Sequence, residues 1–341
     1  MIEIATCANW ERGDGIGNYA SELTRHLEDT SISLTRINYK SVQIPVFGPY
    51  IEQYFYLGKK IQKIDEEFDI IHLPSQTQAA SLCYYKPNTP VVVTVHDIIP
   101  LVSKYDSLPN QAFARVFTRG LKSADRIITI SRHTKFDLVN SLGIQEKSID
   151  VVYPSIDHTA YADPAPKSSL RDMGIEPPFI LFVGTQGSKK NLEVIYEALN
   201  NLPDELDFVV VGTPGNPIQG YWNKYMIRKY GVSEQIIHTG FVSNSVLSRL
   251  YRSALAFVFP SKYEGFVRPP LEAMSNGCPV IASNSTAIPE VLGEAPLYCD
   301  PDEPKQWAKQ IEKLHNDESL REELIEKGRN RVSEFSWEKT A

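Results

Sequence analysis

The chain has 341 residues, a length that predicts two domains of the usual ~150 residues and excludes a single small module. Apolar residues make up 42% of the sequence and charged residues 23%, which indicates a globular protein and excludes disordered and fibrous chains. The formal net charge is −7, whereas nucleic-acid-binding proteins are normally basic, so we expect no nucleic-acid partner.

Neither the cysteines nor the apolar segments indicate a secreted or membrane-spanning protein. Four cysteines occur far apart in the chain, at Cys7, Cys83, Cys278 and Cys299. They have no metal-ligand spacing and are too few for a disulfide framework, so we interpret them as reduced thiols. No apolar run approaches the ~18 residues that span a bilayer, and no signal peptide precedes the first strand. The sequence therefore predicts a cytoplasmic protein.

Short β-branched segments recur along the whole chain, separated by intervals long enough for helices. In the first half the predicted strands are 2–7, 33–38, 70–74, 91–97, 126–131 and 149–153. In the second half they are 179–184, 208–212, 236–241, 254–260, 279–283 and 296–299. This repetition predicts an α/β fold with two doubly wound parallel sheets, each with a ligand site at the carboxyl ends of its strands.

A proline-rich stretch with little periodicity separates the two halves. The predicted domains are therefore an N-terminal domain over 1–155, a linker over 156–178 and a C-terminal domain over 179–333, with a final helix starting in 334–341. Two polar helices, 304–316 and 319–333, are predicted after the last strand.

Glycines follow the first predicted strand at Gly13, Gly15 and Gly17, before an amphipathic helix that begins near Tyr19. A glycine loop between strand and helix lets backbone N–H groups approach a phosphate, although a tight turn explains the same glycines. The spacing is not that of a dinucleotide fingerprint, and the second strand ends in Asn38 rather than in an acidic residue. The pattern therefore disfavours a dehydrogenase.

Two further strand ends carry groups suited to ligand chemistry. His96 and Asp97 end the fourth strand, where a histidine can donate to a hydroxyl; a structural histidine beside a helix-capping aspartate is the alternative. Lys189 and Lys190 lie between strand and helix, where cations would meet a diphosphate; solvated surface lysines are the alternative.

The most informative segment spans residues 261–282. Pro269 and Pro270 predict the start of a helix whose N–H groups face an anion, and Gly265 allows close backbone approach. Glu264 precedes this helix and Glu272 is predicted in its first turn, so that both face one pocket. Glu272 is suited to accept both hydroxyls of a ribose. The helix dipole alone could favour Glu272, but it explains neither Glu264 nor the glycine.

Several of these segments resemble glycosyltransferase family 4, the retaining nucleotide-sugar transferases. The specific part is Tyr-Glu-Gly-Phe-x-x-Pro-Pro-Leu-Glu-Ala-Met at 263–274, which contains two glutamates separated by seven residues. The following Gly-Cys-Pro-Val-Ile-Ala, the later Ile-Pro-Glu-Val at 288–291 and the Lys-Lys-Asn junction also match. The glycine loop, the His-Asp pair, and the segments 130–134 and 152–157 match in order, so the likeness covers nearly the whole chain.

The resemblance implies the GT-B fold, with two Rossmann-like domains facing a central cleft, the donor held mainly by the second domain and the acceptor by the first. It implies that Glu272 binds the donor ribose, Lys190 the diphosphate and Glu264 the sugar. The other implied donor-binding residues are Gly17, Lys189, Gly265, Phe266, Val267, Arg268 and Leu271. His96 would contact the transferred sugar and, with Glu264 and Lys190, completes the predicted catalytic group.

The chain departs from the family pattern at three places. Gly-Phe-Val-Arg replaces the usual Gly-Phe-Gly-Leu, Lys189 stands where an arginine is usual, and the final helix has barely begun at Ala341. We predict that Arg268 supplies the fork-shaped cation that Lys189 does not, or binds an acidic group of the donor or acceptor. An arginine pointing to solvent is equally consistent with the sequence.

Glycosyl transfer passes through an oxocarbenium-like state while negative charge gathers on the departing diphosphate. Lysines and oriented N–H groups can stabilise that charge, so we expect no metal cofactor. Asp300 and Asp302 form an Asp-x-Asp sequence, which we interpret as a helix cap rather than a metal site. The resemblance implies same-face attack, with the diphosphate accepting the proton and Glu264 as an electrostatic and positioning group.

Basic residues recur at helical spacing in the first half, at Arg115, Arg119, Lys122 and Arg126, opposite apolar side chains. This basic face predicts binding to a lipid-pyrophosphate acceptor or peripheral docking on the cytoplasmic face of the inner membrane. A solvated helix face is the alternative.

The sequence as a whole favours a hexosyltransferase that moves a sugar from a UDP- or GDP-sugar, with GDP-mannose favoured. The acceptor would be a glycan or a lipid-linked glycan in surface polysaccharide or O-antigen-type biosynthesis. Two alternatives stay open: a sugar-nucleotide epimerase of the same architecture, for which no acid–base set can be assigned, and a non-catalytic sugar-nucleotide-binding subunit.

Overall fold

A computed structural model describes residues 2–8, 15–28, 32–39, 52–102, 108–157 and 160–341. The chain divides into two units: Met1–Ser155 with Ser336–Ala341 form the first, and Ile156–Phe335 form the second. The residues predicted as a linker, 156–178, belong to the second unit, where the Ala165 N–H donates to the Ser245 carbonyl oxygen at 2.8 Å.

The first unit contains a parallel sheet with the strand order β2-β1-β3-β4-β5-β6. Its strands are β1 (Ile2–Ala8), β2 (Ile32–Asn38), β3 (Ile70–Leu73), β4 (Val91–Val95), β5 (Arg126–Thr129) and β6 (Ile149–Val151). Helices described between them are α1 (Gly15–Leu27), α2 (Leu57–Ile64), α3 (Ile99–Val102), α4 (Leu108–Leu121) and α5 (Arg132–Leu142). A π-helix covers Glu52–Tyr56, and 3-10 helices cover Gln76–Cys83 and Glu146–Ser148.

The second unit contains a parallel sheet with the strand order β12-β11-β10-β7-β8-β9. Its strands are β7 (Phe179–Val183), β8 (Asp207–Val211), β9 (Ile236–Gly240), β10 (Ala256–Phe259), β11 (Val280–Ser283) and β12 (Leu297–Cys299). Its helices are α6 (Ser168–Arg171), α7 (Glu193–Leu199), α8 (Pro217–Tyr230), α9 (Asn244–Ser253), α10 (Arg268–Ser275), α11 (Ile288–Leu292), α12 (Pro304–Asn316) and α13 (Glu318–Val332). Short 3-10 helices cover Ser188–Lys190 and Ser233–Gln235.

All twelve predicted strands are confirmed, with ends that differ by no more than two residues. Most predicted strands run on past the observed carboxyl end, as in 91–97 against Val91–Val95, because residues there already turn toward the next helix. The middle strands of the second sheet are buried along almost their whole length, as both faces of a parallel sheet are covered by helices.

Two helices of the first unit pack closely against each other. The 3-10 helix Gln76–Cys83 lies against α4, and a Cβ atom added to Gly120 would lie 1.7 Å from the Ala79 carbonyl oxygen. Only a residue without a side chain allows this approach of two backbones.

The last residues of the chain form a short helix, α14 (Trp337–Thr340), that packs on the first unit. The Trp337 ring lies 6.0 Å from the Tyr19 ring and 6.1 Å from the His26 ring, measured between centroids. The Thr340 hydroxyl donates to the Tyr153 carbonyl oxygen at 2.8 Å. Within the described ranges, no helix combines the length and the apolar composition needed to cross a bilayer.

Candidate active site

The candidate site of the second unit lies where the strand order reverses. β7 and β10 are neighbours at this point, although 70 or more residues separate them along the chain. In doubly wound sheets, ligands bind at the carboxyl ends of the strands that flank such a reversal. Ser188–Lys190 follows β7, and Glu264 follows β10, so the topology brings the predicted lysines and glutamate together.

Lys190 and Glu264 form a buried ion pair. The Lys190 Nζ atom lies 2.6 Å from Glu264 Oε1, and the Lys189 Nζ atom lies 3.9 Å from Glu264 Oε2. The Lys190 ammonium also lies 4.9 Å from the centroid of the Phe259 ring. Glu264 is only 7% exposed. The cluster thus combines two cations with one carboxylate and carries a net positive charge.

The surroundings of the cluster set its protonation. Burial would raise the pKa of Glu264, but the charges of Lys190 and Lys189 outweigh it and hold that pKa below its usual value. Burial, with repulsion from Lys189, lowers the pKa of Lys190 against the attraction of Glu264. We conclude that Glu264 is a carboxylate that orients Lys190.

Two side chains outside the predicted site fix the loops that carry the cluster. Asn191 adopts a left-handed backbone conformation (φ 55°), and its amide donates to the carbonyl oxygens of Pro260 (3.3 Å) and Pro301 (2.6 Å). The Glu264 N–H donates to the Thr286 hydroxyl at 3.0 Å. Asparagine is among the few residues that adopt the left-handed conformation readily, so the asparagine after Lys189-Lys190 was a usable sequence signal. No comparable pattern in the sequence pointed to Thr286.

Helix α10 begins at Arg268, one residue before the predicted prolines. Glu272 therefore lies in the second turn rather than in the predicted first turn. Pro269 and Pro270 have no N–H, and the Leu271 N–H makes the first intrahelical bond to the Val267 carbonyl oxygen, so among residues 268–271 Arg268 has the N–H that an anion could accept. The prolines that start the helix also remove two of its donors, and that the N–H groups at this helix start face an anion stays a prediction.

Glu272 has different neighbours from Glu264. The Tyr251 hydroxyl donates to Glu272 Oε2 at 3.4 Å, and Tyr161 also hydrogen-bonds to this carboxyl. Burial raises the pKa of Glu272, and the nearby Arg268 charge only partly opposes this. The sequence did not point to either tyrosine, since single phenol groups far along the chain form no pattern.

The remaining predicted donor residues lie in the same loop and helix. Gly265 is buried, Val267 is fully buried with 0% exposure, and Phe266 packs its ring against Phe335 at 5.9 Å. Arg268 is half-buried, and its Nε atom is buried without a hydrogen-bond partner among the described residues. The Nε atom of Arg268 therefore does not face solvent, and the role of Arg268 toward the donor stays a prediction.

Asp300 and Asp302 do not cap the following helix, which corrects our interpretation of this sequence. Glu303 is the residue that precedes α12, whereas the Asp302 N–H donates to Asp300 Oδ1 at 2.8 Å. The Asp302 carboxylate pairs with Lys262 at 2.6 Å.

In the first unit, His96 follows β4 and is fixed by two hydrogen bonds. Its Nε2–H donates to the Pro74 carbonyl oxygen at 2.8 Å, and its backbone N–H donates to Gln76 Oε1 at 3.1 Å. The Tyr19 ring meets the imidazole edge-on at 4.9 Å. Because a carbonyl can only accept, the proton of neutral His96 resides on Nε2.

Gly17 lies inside α1, which begins at Gly15, so the predicted loop position for Gly17 was wrong. Gly13 lies outside the described residues. The predicted basic face is smaller than expected: Arg115 and Arg119 are exposed on α4, and exposed Lys122 follows it. Arg126 instead belongs to β5 and pairs with Asp150 at 2.6 Å.

Two family models match the chain and cover most of it. The model described as Glycosyltransferase Family 4 matches residues 13–160, and the model described as Glycosyl transferases group 1 matches residues 171–331. The chain belongs to glycosyltransferase family 4.

Relatives of this glycosyltransferase include two mannosyltransferases of Escherichia coli. The serotype-specific mannosyltransferase WbdA is 31% identical over 265 residues, which are 73% of this chain and 32% of WbdA. O-antigen chain mannosyltransferase B is 35% identical over 164 residues, which are 47% of this chain and 42% of that protein. The glycosyltransferase thus spans about a third of the length of WbdA.

The solved structure of HepE from Anabaena in complex with UDP-glucose matches this glycosyltransferase with a TM-score of 0.78. The match covers 98% of this chain and 95% of HepE at 17% identity. At this identity the likeness shows the fold alone. The predicted fold class, a GT-B protein with two doubly wound parallel α/β units, is confirmed.

Proposed function

We propose that this glycosyltransferase is a retaining hexosyltransferase that uses a nucleoside diphosphate sugar and needs no metal ion. The observation that carries the proposal is the positively charged cluster of Lys189, Lys190 and Glu264 at the reversal of the second sheet. Cations in a buried site stabilise the charge that gathers on a departing diphosphate far better than they would in water.

Each group of the second unit has a role in this proposal. Lys190 and Lys189 bind the diphosphate, together with the backbone around Phe266. Glu272 accepts the ribose hydroxyls, and Glu264 orients Lys190 and contacts the sugar. In the first unit, the predicted roles of Gly17 and His96 toward the phosphates and the transferred sugar remain predictions.

The reaction balances without a protein nucleophile. The bond between the sugar C1 and the diphosphate oxygen breaks, and a new bond forms between C1 and the acceptor hydroxyl oxygen on the same face. The acceptor proton passes to the departing diphosphate. The task of the protein is to place the two substrates and to stabilise the diphosphate charge.

The proposed donor is GDP-mannose and the proposed acceptor is a glycan or lipid-linked glycan of a surface polysaccharide. The names of the relatives support this choice, since both are called mannosyltransferases and one of them is called an O-antigen chain mannosyltransferase. HepE was solved with UDP-glucose, so UDP-sugars belong in any test.

The deciding experiment measures nucleoside diphosphate release across a panel of GDP- and UDP-sugars, with and without glycan acceptors and with and without EDTA. We expect acceptor-stimulated release with one donor, an unchanged rate in EDTA, and a product with the anomeric configuration of the donor. Interconversion of the donor sugar would instead identify an epimerase, and binding without turnover would identify a non-catalytic subunit.

Arg268→Ala is expected to raise the donor KM roughly tenfold, because a half-buried cation beside Glu272 is lost. Steady-state kinetics with the identified donor measure this, with Arg249→Ala as the control, since Arg249 binds the Ala165 carbonyl oxygen instead. Unchanged KM and kcat in Arg268→Ala would show that Arg268 does not act on the donor.

Glu272→Gln is expected to weaken donor binding while it stabilises the fold at neutral pH. A charge-assisted acceptor for the ribose is lost, so the donor KM should rise roughly tenfold or more. The pKa of Glu272 is raised in the folded state, so the native protein loses stability as the pH rises from the ordinary glutamate pKa through the raised one. The variant avoids that loss.

Calorimetry of both proteins at acidic and neutral pH checks the stability half of this prediction. The two proteins should unfold at similar temperatures below the ordinary glutamate pKa, and the variant should unfold at a higher temperature near neutrality. A variant that is less stable at neutral pH would show that Arg268 more than compensates the buried charge.

The proposed location is the cytoplasmic face of the membrane, through the basic face of Arg115, Arg119 and Lys122. Anionic lipids or a lipid-pyrophosphate acceptor would bind these exposed cations. Arg115→Glu with Arg119→Glu should weaken flotation with anionic vesicles by about tenfold or more. Flotation equal to that of the wild type would exclude this face from membrane binding.

A further inference from the structure

Helix α8 turns its apolar stripe outward. Ile218, Tyr221, Trp222 and Tyr225 follow one another at the spacing that normally marks the buried face of an amphipathic helix. In this structure they are exposed by 80%, 75%, 50% and 59%. The opposite side of the helix, with Asn223, Met226 and Ile227, is the side that packs onto the second unit.

The helix is well anchored, so this orientation belongs to the fold. Asn216 accepts the Gln219 N–H at 2.9 Å as an N-cap, and Gly231 ends the helix in a left-handed conformation. On the buried side, the Asn223 amide donates to Gln186 Oε1 at 2.8 Å. A register shift that would bury the aromatic rings would break these contacts.

Cations lie along one edge of the aromatic stripe and at its C-terminal end. With 3.6 residues per turn, Lys224 and Arg228 lie along one edge, Lys229 lies on the stripe itself one turn after Tyr225, and all three are exposed. The helix contains no acidic residue. Two carboxylates of α7 contact the helix: half-buried Glu193 accepts a hydrogen bond from Trp222 Nε1 at 3.4 Å, and Glu197 accepts one from Tyr230.

A cavity of about 720 Å³ adjoins the edge that carries Lys224 and Arg228. Tyr221, Lys224 and Arg228 line its helical side, and Gly212 and Gly240 at the ends of β8 and β9 line the other. The two cations and the phenol group in the cavity wall are suited to bind the phosphate group of a lipid, whose apolar tail would stay outside the cavity.

We propose that this stripe, with its flanking cations, docks the glycosyltransferase on an anionic lipid bilayer. Tryptophan and tyrosine rings favour the headgroup region, isoleucine favours the acyl boundary beneath it, and lysine and arginine side chains reach up to the lipid phosphates. A sugar-stacking surface would need neither the exposed isoleucine nor the cations. The proposal rests on the proposed membrane location and adds a docking surface on the second unit to the basic face proposed on α4.

The test is flotation of the full chain with phosphatidylglycerol-containing vesicles and with vesicles of phosphatidylcholine alone. Trp222→Ser with Tyr225→Ser should lower the partition coefficient onto anionic vesicles by at least about tenfold. Both positions are exposed, so folding should be retained, and circular dichroism checks this. The matched control is Phe136→Ser, which removes a 61% exposed ring from α5 and should leave flotation unchanged.

Lys224→Ser with Arg228→Ser should lose binding specifically to the anionic vesicles, since each cation near such a surface strengthens binding roughly fivefold. Flotation of the aromatic variant equal to that of the wild type would overturn the proposal. So would a change of oligomeric state or of soluble-glycan affinity in that variant without a change in flotation. Donor turnover measured without vesicles tests the proposed function separately, because flotation requires no turnover.

Discussion

Lys190→Met is expected to lower kcat by about 100- to 1,000-fold with little change in the donor KM, provided that chemistry limits turnover. The Lys190 ammonium lies in a buried site and makes its closest contact, 2.6 Å, with Glu264. A cation there acts most strongly on charge that develops only as the diphosphate departs. Steady-state kinetics with the identified donor and acceptor measure the effect.

Two companion variants show whether Lys190 acts on the diphosphate or only neutralises Glu264. The double variant Lys190→Met/Glu264→Gln removes the unpaired carboxylate and should recover stability without recovering kcat. Recovery of kcat in the double variant would show that Lys190 only neutralises Glu264 and does not act on the diphosphate. Lys262→Met removes a neighbouring lysine that pairs with Asp302 and should keep a kcat close to that of the wild type.

Gly120→Ala is expected to destabilise the first unit by about 3 kcal/mol, a large part of the stability of a typical domain. The new methyl group would lie 1.7 Å from the Ala79 carbonyl oxygen, and the obstacle is backbone rather than a movable side chain. Either α4 or the 3-10 helix Gln76–Cys83 must shift. The unfolding temperature of that unit should fall by roughly 10 °C.

Gly220→Ala is the matched control, since Gly220 also lies within a helix. Its added methyl group would meet the Pro214 ring at an ordinary 3.5 Å. Alanine favours a helix over glycine by about 0.5–1 kcal/mol, so this variant should be as stable as the wild type or more stable. If both variants behaved alike in thermal unfolding, the close approach at Gly120 would not be the cause.

The two parallel sheets and the cluster of Lys189, Lys190 and Glu264 could be predicted from the sequence, and the structure shows the physical reasons. Buried parallel strands need continuous apolar, β-branched segments, so their number and order along the chain can be recognised. Lys190 and Glu264 came together because both follow strands that meet at a reversal of strand order, a rule that needs no knowledge of side-chain contacts.

Prediction from the sequence failed where the position of a side chain depended on packing between segments that are distant along the chain. Tyr161 and Tyr251 reach Glu272 from other parts of the chain, and no spacing rule links them. The spacing of Ile218, Tyr221 and Trp222 would have suggested a buried face, but a hydrogen bond from Asn223 holds the opposite face inward. Periodicity identifies a face of a helix, whereas tertiary contacts decide where it points.

The assignment of Ser336–Ala341 to the first unit has a consequence for biosynthesis. Trp337 reaches Tyr19 only after the ribosome has translated the 180 residues of Ile156–Phe335. The second unit is contiguous and can fold as soon as it emerges, whereas the first must wait for the codons of Ser336–Ala341 before its packing is complete. During that interval Tyr19 and Leu23 lack Trp337, the third buried member of their apolar cluster.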